Sequence, residues 1–378
     1  GPIAFKTAMV ISQMLGYLMA KFYGIKFISG LEKKNRYKII FLLTGIAWAA
    51  WLLFALVPAP YSILFLFING FPLGMLWGVV FSYVEGRRST DFIGAALAVS
   101  FIFSAGWVKS VGAWLMLHFQ ITETWVPFCT GLVFALPLVL CVWGLEKVPP
   151  PSTEDEALRA KRIPMTSEDR KTILKTYLPG VIAFVVIYLF ATIFRDIRDN
   201  FSADMWKEMG YAAKPSTFSE TEIPITIFIL ILIGTVVAVK NSFKAFMIAH
   251  VFILIGFVIA GLSTYFFTQK LLDPFWWMLL VGLGLYLVYI PFNSIYFDRL
   301  IAAFSIKGNA GFFIYLADSI GYVGSVSVML VKEGMTLDIA WTSFFAQSVM
   351  ILSFVGLFIT AYAMYYFASK SKITPLIQ

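Results

Sequence analysis

Residues 104–111 read SAGWVKSV, and residues 319–326 read SIGYVGSV. Five of the eight positions are identical, and Trp107 aligns with Tyr322. Each octet lies inside a long apolar run. Such a match within one chain marks an internal duplication, a plan that recurs among polytopic membrane proteins.

Working outward, the apolar runs reach about 20 residues, the length that crosses a bilayer. They lie near 4–29, 39–57, 62–84, 92–118 and 126–146, then near 174–195, 222–239, 244–267, 274–297, 308–331 and 340–368. The reading is an all-α polytopic membrane protein with eleven visible spans. Composition agrees: 60% of residues are hydrophobic and 13% charged, against about 25% charged in a soluble protein. The repeat octets fall in the fourth and tenth spans.

Lysine and arginine counts set the orientation, because positive loops stay in the cytoplasm. One alternating set of loops carries nineteen of these residues; the other carries only Arg198, Lys207, Lys214, Lys270 and Lys332. The net charge of +8 is this bias and implies no nucleic acid. The C-terminus is then cytoplasmic and the first span begins outside. The polar stretch 147–173, with Pro149-Pro150-Pro151, joins an N-terminal half, 1–146, to a C-terminal half, 174–378. Five spans against six is the expected appearance of a six-plus-six bundle lacking its first helix. Cys129 and Cys141 share one apolar run and read as small packing residues.

Charges within spans are costly and functional by default. Lys109 sits nine residues from the outer end of its run, roughly 13 Å deep at 1.5 Å per residue. It reads as a cavity-facing lysine, with a structural ion pair as the alternative. Asp318 falls near the midplane of the tenth span. It pairs with Lys109, titrates, binds a cation, or is a permanently paired structural carboxylate. Lys21, about two turns from the inner end of the first span, lies within snorkelling reach of the interface. Asn69 sits mid-span in a glycine-rich run. Asn293 follows Pro291, and Tyr286, Tyr289, Tyr315 and Tyr322 line a cavity or pack between helices.

The densest charge follows the sixth run. Residues 191–208 read ATIFRDIRDNFSADMWKE. Run length alone places Arg195 at the outer interface, paired at i, i+4 with Asp199, and Asp196 with Asn200. Glu222, just before Pro224, marks a helix start or an outer gate pair. No phosphate loop, HExxH, paired metal-ligand motif or GxSxG elbow occurs, so no enzyme, metal or cofactor is indicated.

These segments resemble the major facilitator superfamily, and within it the organophosphate:phosphate antiporter branch. Arg195, then Asn200-Phe201-Ser202 and Lys207-Glu208, is similar to that branch's helix-seven pattern, with Leu178-Pro179 upstream. Ala20-Lys21-Phe22, residues 69–78 and Ala310-Gly311-Phe312 resemble its helices two, four and eleven. The branch's helix-one arginine and helix-five His-Asn have no counterparts; Phe103, Ser104 and Lys109 occupy the latter region. The chain also resembles an uncharacterised bacterial family of facilitator-like proteins.

The resemblance implies a secondary transporter of a small organic anion, an organophosphate or phosphonate, and assigns Arg195 to the phosphoryl group. The expected substrate-binding set is Arg195, Lys21, Lys109, Tyr315 and Asn293. The coupling or gating set is Asp318, Asp199, Arg198 and Glu222. Partners are the anion, inorganic phosphate or a proton as coupled ion, and the lipid bilayer. The protein is expected as a monomer in a bacterial inner membrane. A proton-coupled symporter of another solute, or a non-transporting membrane sensor, are the alternatives.

Overall fold

Long apolar runs without water to satisfy the backbone must close their hydrogen bonds within each segment. The computed structural model accordingly places every regular element in helices among its described residues, 4–29, 35–84, 90–149, 167–211, 214–306, 310–334 and 340–373. They are α1 (Phe5–Ser29), α2 (Arg36–Leu56), α3 (Ile63–Val84), α4 (Thr90–Phe119), α5 (Val126–Val133), α6 (Ala135–Glu146), α7 (Ser167–Glu208), α8 (Thr217–Val237), α9 (Ser242–Thr268), α10 (Pro274–Ser294), α11 (Tyr296–Ala303), α12 (Ala310–Gly334) and α13 (Trp341–Ile373).

Nine of these helices are long and apolar enough to cross a membrane, and ten spans result if α5 and α6 count as one. The eleventh expected span, α1, is 25 residues long but diluted by Lys6, Gln13, Lys21 and Lys26. The run 126–146 bends by 46° between α5 and α6. Pro137 explains the break, because it has no N–H for the Val133 carbonyl and its ring crowds that oxygen. The expected span 274–297 likewise ends at Ser294, and α11 starts afresh after Ile295.

The chain forms two compact units: Gly1–Thr90 with Val108–Arg159 and Val326–Leu337, and Asp91–Trp107 with Ala160–Ser325 and Asp338–Gln378. In the first, Ala20, Ile40, Leu43, Met75, Val79 and Val142 form a core. Asn69, fully buried, ties three helices together. It accepts from Gln13 Nε2 on α1 at 2.7 Å and donates to the Ala47 carbonyl of α2 at 2.8 Å. Trp48 stacks on Phe128 with centroids 4.9 Å apart and donates to the Phe128 carbonyl. Cys129 and Cys141 are free thiols, and Cys141 is exposed rather than packed.

In the second unit α9 and α10 approach backbone to backbone. A Cβ on either Gly256 or Gly284 would lie 2.5 Å from the other's carbonyl oxygen, so only glycine permits this packing. Trp277 stacks on Phe267 at 3.8 Å. Phe184 meets Tyr296, Phe297 and Phe313 edge-on. His250 is buried between the Phe246 carbonyl, 2.9 Å away, and the Tyr296 hydroxyl, 3.0 Å away, and so serves as a packing residue.

Helix α7 positions the charges. It runs 42 residues with a kink at Tyr177, whose φ of −119° and ψ of 17° are not helical. Pro179 follows and cannot donate to the preceding turn. Beyond it the helix continues past Arg195 to Glu208. Arg195 therefore stands 13 residues from the helix end, about 20 Å along the axis at 1.5 Å per residue. The helix thus does not stop where the apolar run stops. Charges end an apolar run in the sequence, but they do not end a helix when neighbouring helices supply partners. The far end is itself anchored. Glu208 accepts from the Trp341 and Thr342 backbone N–H groups, at 2.9 and 2.8 Å, and from the Thr342 hydroxyl at 2.6 Å. It thus caps α13 from another helix, where orphan N–H groups and the helix dipole favour a carboxylate. Phe201 stacks on Trp341 directly below.

Candidate functional site

One turn of α7 brings Arg195, Asp196, Arg198 and Asp199 against α8, α10 and α12. Two linked groups result, both inside the second unit. In the first, Asp196 Oδ1 accepts from Arg195 Nη2 at 2.6 Å and from Nε at 3.0 Å. Arg195 Nη1 donates to the Tyr289 hydroxyl, and the guanidinium lies 4.4 Å from the Tyr289 ring centroid. Tyr188 stands beside Tyr289, with centroids 5.6 Å apart. It donates to Asp318 Oδ1 on α12. Asn293 Nδ2 donates to the Tyr289 carbonyl at 3.2 Å and reaches the Tyr188 hydroxyl at 3.5 Å. Arg195 keeps 17% of its side-chain surface accessible, against 8% for Asp196.

The second group is more deeply enclosed. Arg198, 2% accessible, pairs with Glu222 of α8 at 2.7 Å. It also donates to the Met278 carbonyl at 3.2 Å and lies 5.7 Å from the Tyr286 ring centroid. Asp199 is 4.0 Å from Arg198 and remains 29% accessible. It accepts from the Tyr286 hydroxyl at 3.1 Å.

These contacts correct the expected pairings. Arg195 is held by Asp196 and Tyr289, not by Asp199 four residues on. Adjacent side chains on a helix point apart, but a long arginine can fold back where α10 supplies the second contact. Asn200 donates to the backbone carbonyl of Asp196 at 2.8 Å, not to its carboxylate. Glu222 lies within α8, five residues past its first residue, and is the buried counter-ion of Arg198 rather than a helix start. Tyr188 was not singled out by the sequence; its place four residues before Thr192 and seven before Arg195, on one helix face, was the available signal.

Of the expected residues, Arg195, Asn293 and Asp318 join one group, and Arg198, Asp199 and Glu222 the other. Lys21 and Lys109 are half-buried on α1 and α4 of the first unit. Tyr315 lies outside the residues whose side chains are described. The repeat glycines have a physical role. A Cβ on Gly106 would lie 2.6 Å from the Glu222 side chain, and one on Gly321 would lie 2.9 Å from Thr192 Oγ1. Each octet thus offers a glycine to a helix that carries part of the cluster. Among the described residues, no group of three or more His, Cys, Asp or Glu side chains is placed to hold a metal.

Comparison with known proteins gives a match over residues 2–370 to the family described as "Family of unknown function (DUF5690)". The chain belongs to the DUF5690 family. No curated protein matches it. Solved structures are similar to this DUF5690 chain over nearly its whole length. The human organic anion transporter MFSD10 (TETRAN) matches with a TM-score of 0.57 and 14% identity, over 95% of this chain and 83% of that one. A variant of the nucleoside transporter NupG matches with a TM-score of 0.59 and 16% identity, over 94% and 90%. A D-xylose–proton symporter matches with a TM-score of 0.60 and 14% identity, over 96% and 88%. These likenesses establish the major-facilitator fold for this polytopic membrane protein. The neighbours are transporters, not enzymes.

Proposed function

We propose that this DUF5690 protein is a secondary transporter that moves a small organic anion, of organophosphate or phosphonate type, by alternating access. The observation that supports it is Arg195. It is a guanidinium at the end of the apolar stretch of α7, held by Asp196 and Tyr289 and still partly accessible. Each terminal nitrogen carries a second N–H beyond those contacts, and such a fork suits the paired oxygens of a phosphoryl group.

In this reading Arg195 binds the anion, Asn293 and Tyr315 contact the rest of the substrate, and Lys21 and Lys109 add point charges. The halves 1–146 and 174–378 rock about the site, joined by 147–173. Arg198, Asp199, Glu222 and Asp318 serve coupling or gating. The protein acts as a monomer in a bacterial inner membrane, with its C-terminus cytoplasmic. Exchange against inorganic phosphate requires no titrating group. Proton coupling is the second reading, and the local count within the second unit favours it: Asp196, Asp199, Glu222 and Asp318 join groups that hold two arginines.

Uptake of glycerol 3-phosphate into proteoliposomes tests both. Flux that needs internal phosphate and ignores a pH gradient supports exchange; flux driven by an inward proton gradient supports symport. Absence of flux under either condition rejects transport of this anion class.

A further inference from the structure

We infer that Asp196 is the internal competitor of the substrate for Arg195, and that it takes up one proton for each anion bound. The inference rests on the anion-site reading of Arg195 and deepens it by naming the coupled ion and the residue that carries it.

Both Nε and Nη2 of Arg195, the edge of the guanidinium best suited to a bidentate oxyanion, are directed at a single oxygen, Asp196 Oδ1. An anion that adds this edge to the two remaining N–H groups must share it with Asp196 or displace it. Were Asp196 to stay ionised, two negative groups would face one guanidinium in a buried place, where like charges repel strongly. A proton on Asp196 removes the conflict. It also gives the carboxyl a donor that the surroundings can use. The second oxygen, Oδ2, is buried beside the equally buried Ser325 hydroxyl of α12, which is within reach as its partner. Ser325 lies in the second repeat octet.

The other titratable and charged groups facing this pair offer Asp196 no replacement for Arg195. Asp199 on α7 adds negative charge near Asp196. Tyr188 on α7, Tyr289 on α10 and Tyr322 on α12 surround Arg195, and Asp318 on α12 is held through Tyr188. Arg198 is already committed to Glu222 of α8 and offers Asp196 no replacement cation. The step balances simply. The Asp196–Arg195 ion pair opens, an anion–Arg195 pair forms, and a solvent proton passes to Asp196, so one anionic charge and one proton enter together.

The experiment is calorimetric titration of the full chain with glycerol 3-phosphate, at pH 6 and pH 8, in buffers of differing ionisation enthalpy. Wild type, Asp196→Asn and Arg195→Gln are compared. Comparison with Asp196→Asn subtracts the probe's own ionisation. Wild type should take up one more proton per anion than Asp196→Asn. Its affinity should fall, relative to that variant, by about tenfold per pH unit, the slope for one linked proton. Asp196→Asn should bind more tightly than wild type at pH 8. Loss of binding in Arg195→Gln, with equal proton uptake and no tighter binding in Asp196→Asn, would overturn the inference while leaving the anion site intact. Unchanged binding in Arg195→Gln, or no binding by any form, would overturn the anion-site reading and the inference with it. If Asp196→Asn does not fold, wild type is titrated with sulfate, an anion that does not ionise between pH 6 and 8; absence of proton uptake on its binding then counts against the inference.

Discussion

Replacing Glu222 by alanine is the sharpest structural perturbation the cluster permits. Arg198 is 2% accessible and its close carboxylate partner is Glu222, 2.7 Å away. After the substitution, the guanidinium retains the Met278 carbonyl at 3.2 Å and Asp199 at 4.0 Å. Breaking a buried ion pair by removing one partner costs about 3–5 kcal/mol, because the other charge is left uncompensated. Asp199 offsets part of this. However, it is 29% accessible and already accepts from Tyr286, so the offset is small. The lost side chain also empties the space beside Gly106. The expected destabilisation is therefore about 3 kcal/mol, the low end of the range. Equilibrium unfolding in bicelles measures it. The double replacement Arg198→Met with Glu222→Leu should recover most of the loss, since an apolar pair of similar volume is often neutral or better. A single-variant loss below about 1 kcal/mol, typical of a solvated pair, would refute the reasoning. So would a double variant as unstable as the two singles summed.

Other substitutions probe the frame. Glu208→Ala removes the cap of α13 and should destabilise by about 1–2 kcal/mol, read as a lower melting temperature. Gly284→Val forces the Gly256 carbonyl away and should cost about 1–3 kcal/mol or more, seen as loss of a monodisperse species in detergent. Asn69→Leu breaks the bridge among α1, α2 and α3. It should cost about 0.6–1.7 kcal/mol, the range for hydrogen bonds between membrane helices, measured by the same unfolding assay.

What the sequence disclosed and what it hid follow from the range of the forces involved. Span-length apolar runs report burial of backbone in lipid, which is local, so the helices and the major-facilitator fold were legible. The octet repeat was legible for the same reason: a glycine at a helix crossing leaves a local mark, here Gly106 and Gly321. The length of α7 was not. Arg195 to Glu208 ends the apolar run, yet the helix continues because Tyr289, Glu222, Tyr286 and the start of α13 at Trp341 partner its charges, and those lie at sequence separations the pattern does not connect. The Arg195–Asp196 contact was missed because helix geometry favours i, i+4 and only tertiary packing overrides it. Pro137 could have signalled the α5–α6 break; Pro72 and Pro224 show why it was ambiguous, since both sit inside helices that continue.

The most direct test of the account is the affinity of Arg195→Lys for glycerol 3-phosphate, measured beside its melting temperature. Lysine keeps the positive charge but loses the planar fork and the bidentate contact. The predicted loss is about 1.5–3 kcal/mol, the worth of a hydrogen bond to a charged group. That is roughly a 10- to 150-fold rise in Kd, with the melting temperature nearly unchanged. Binding as tight as that of wild type, in a variant equally well folded, would contradict Arg195 as the residue that holds the anion.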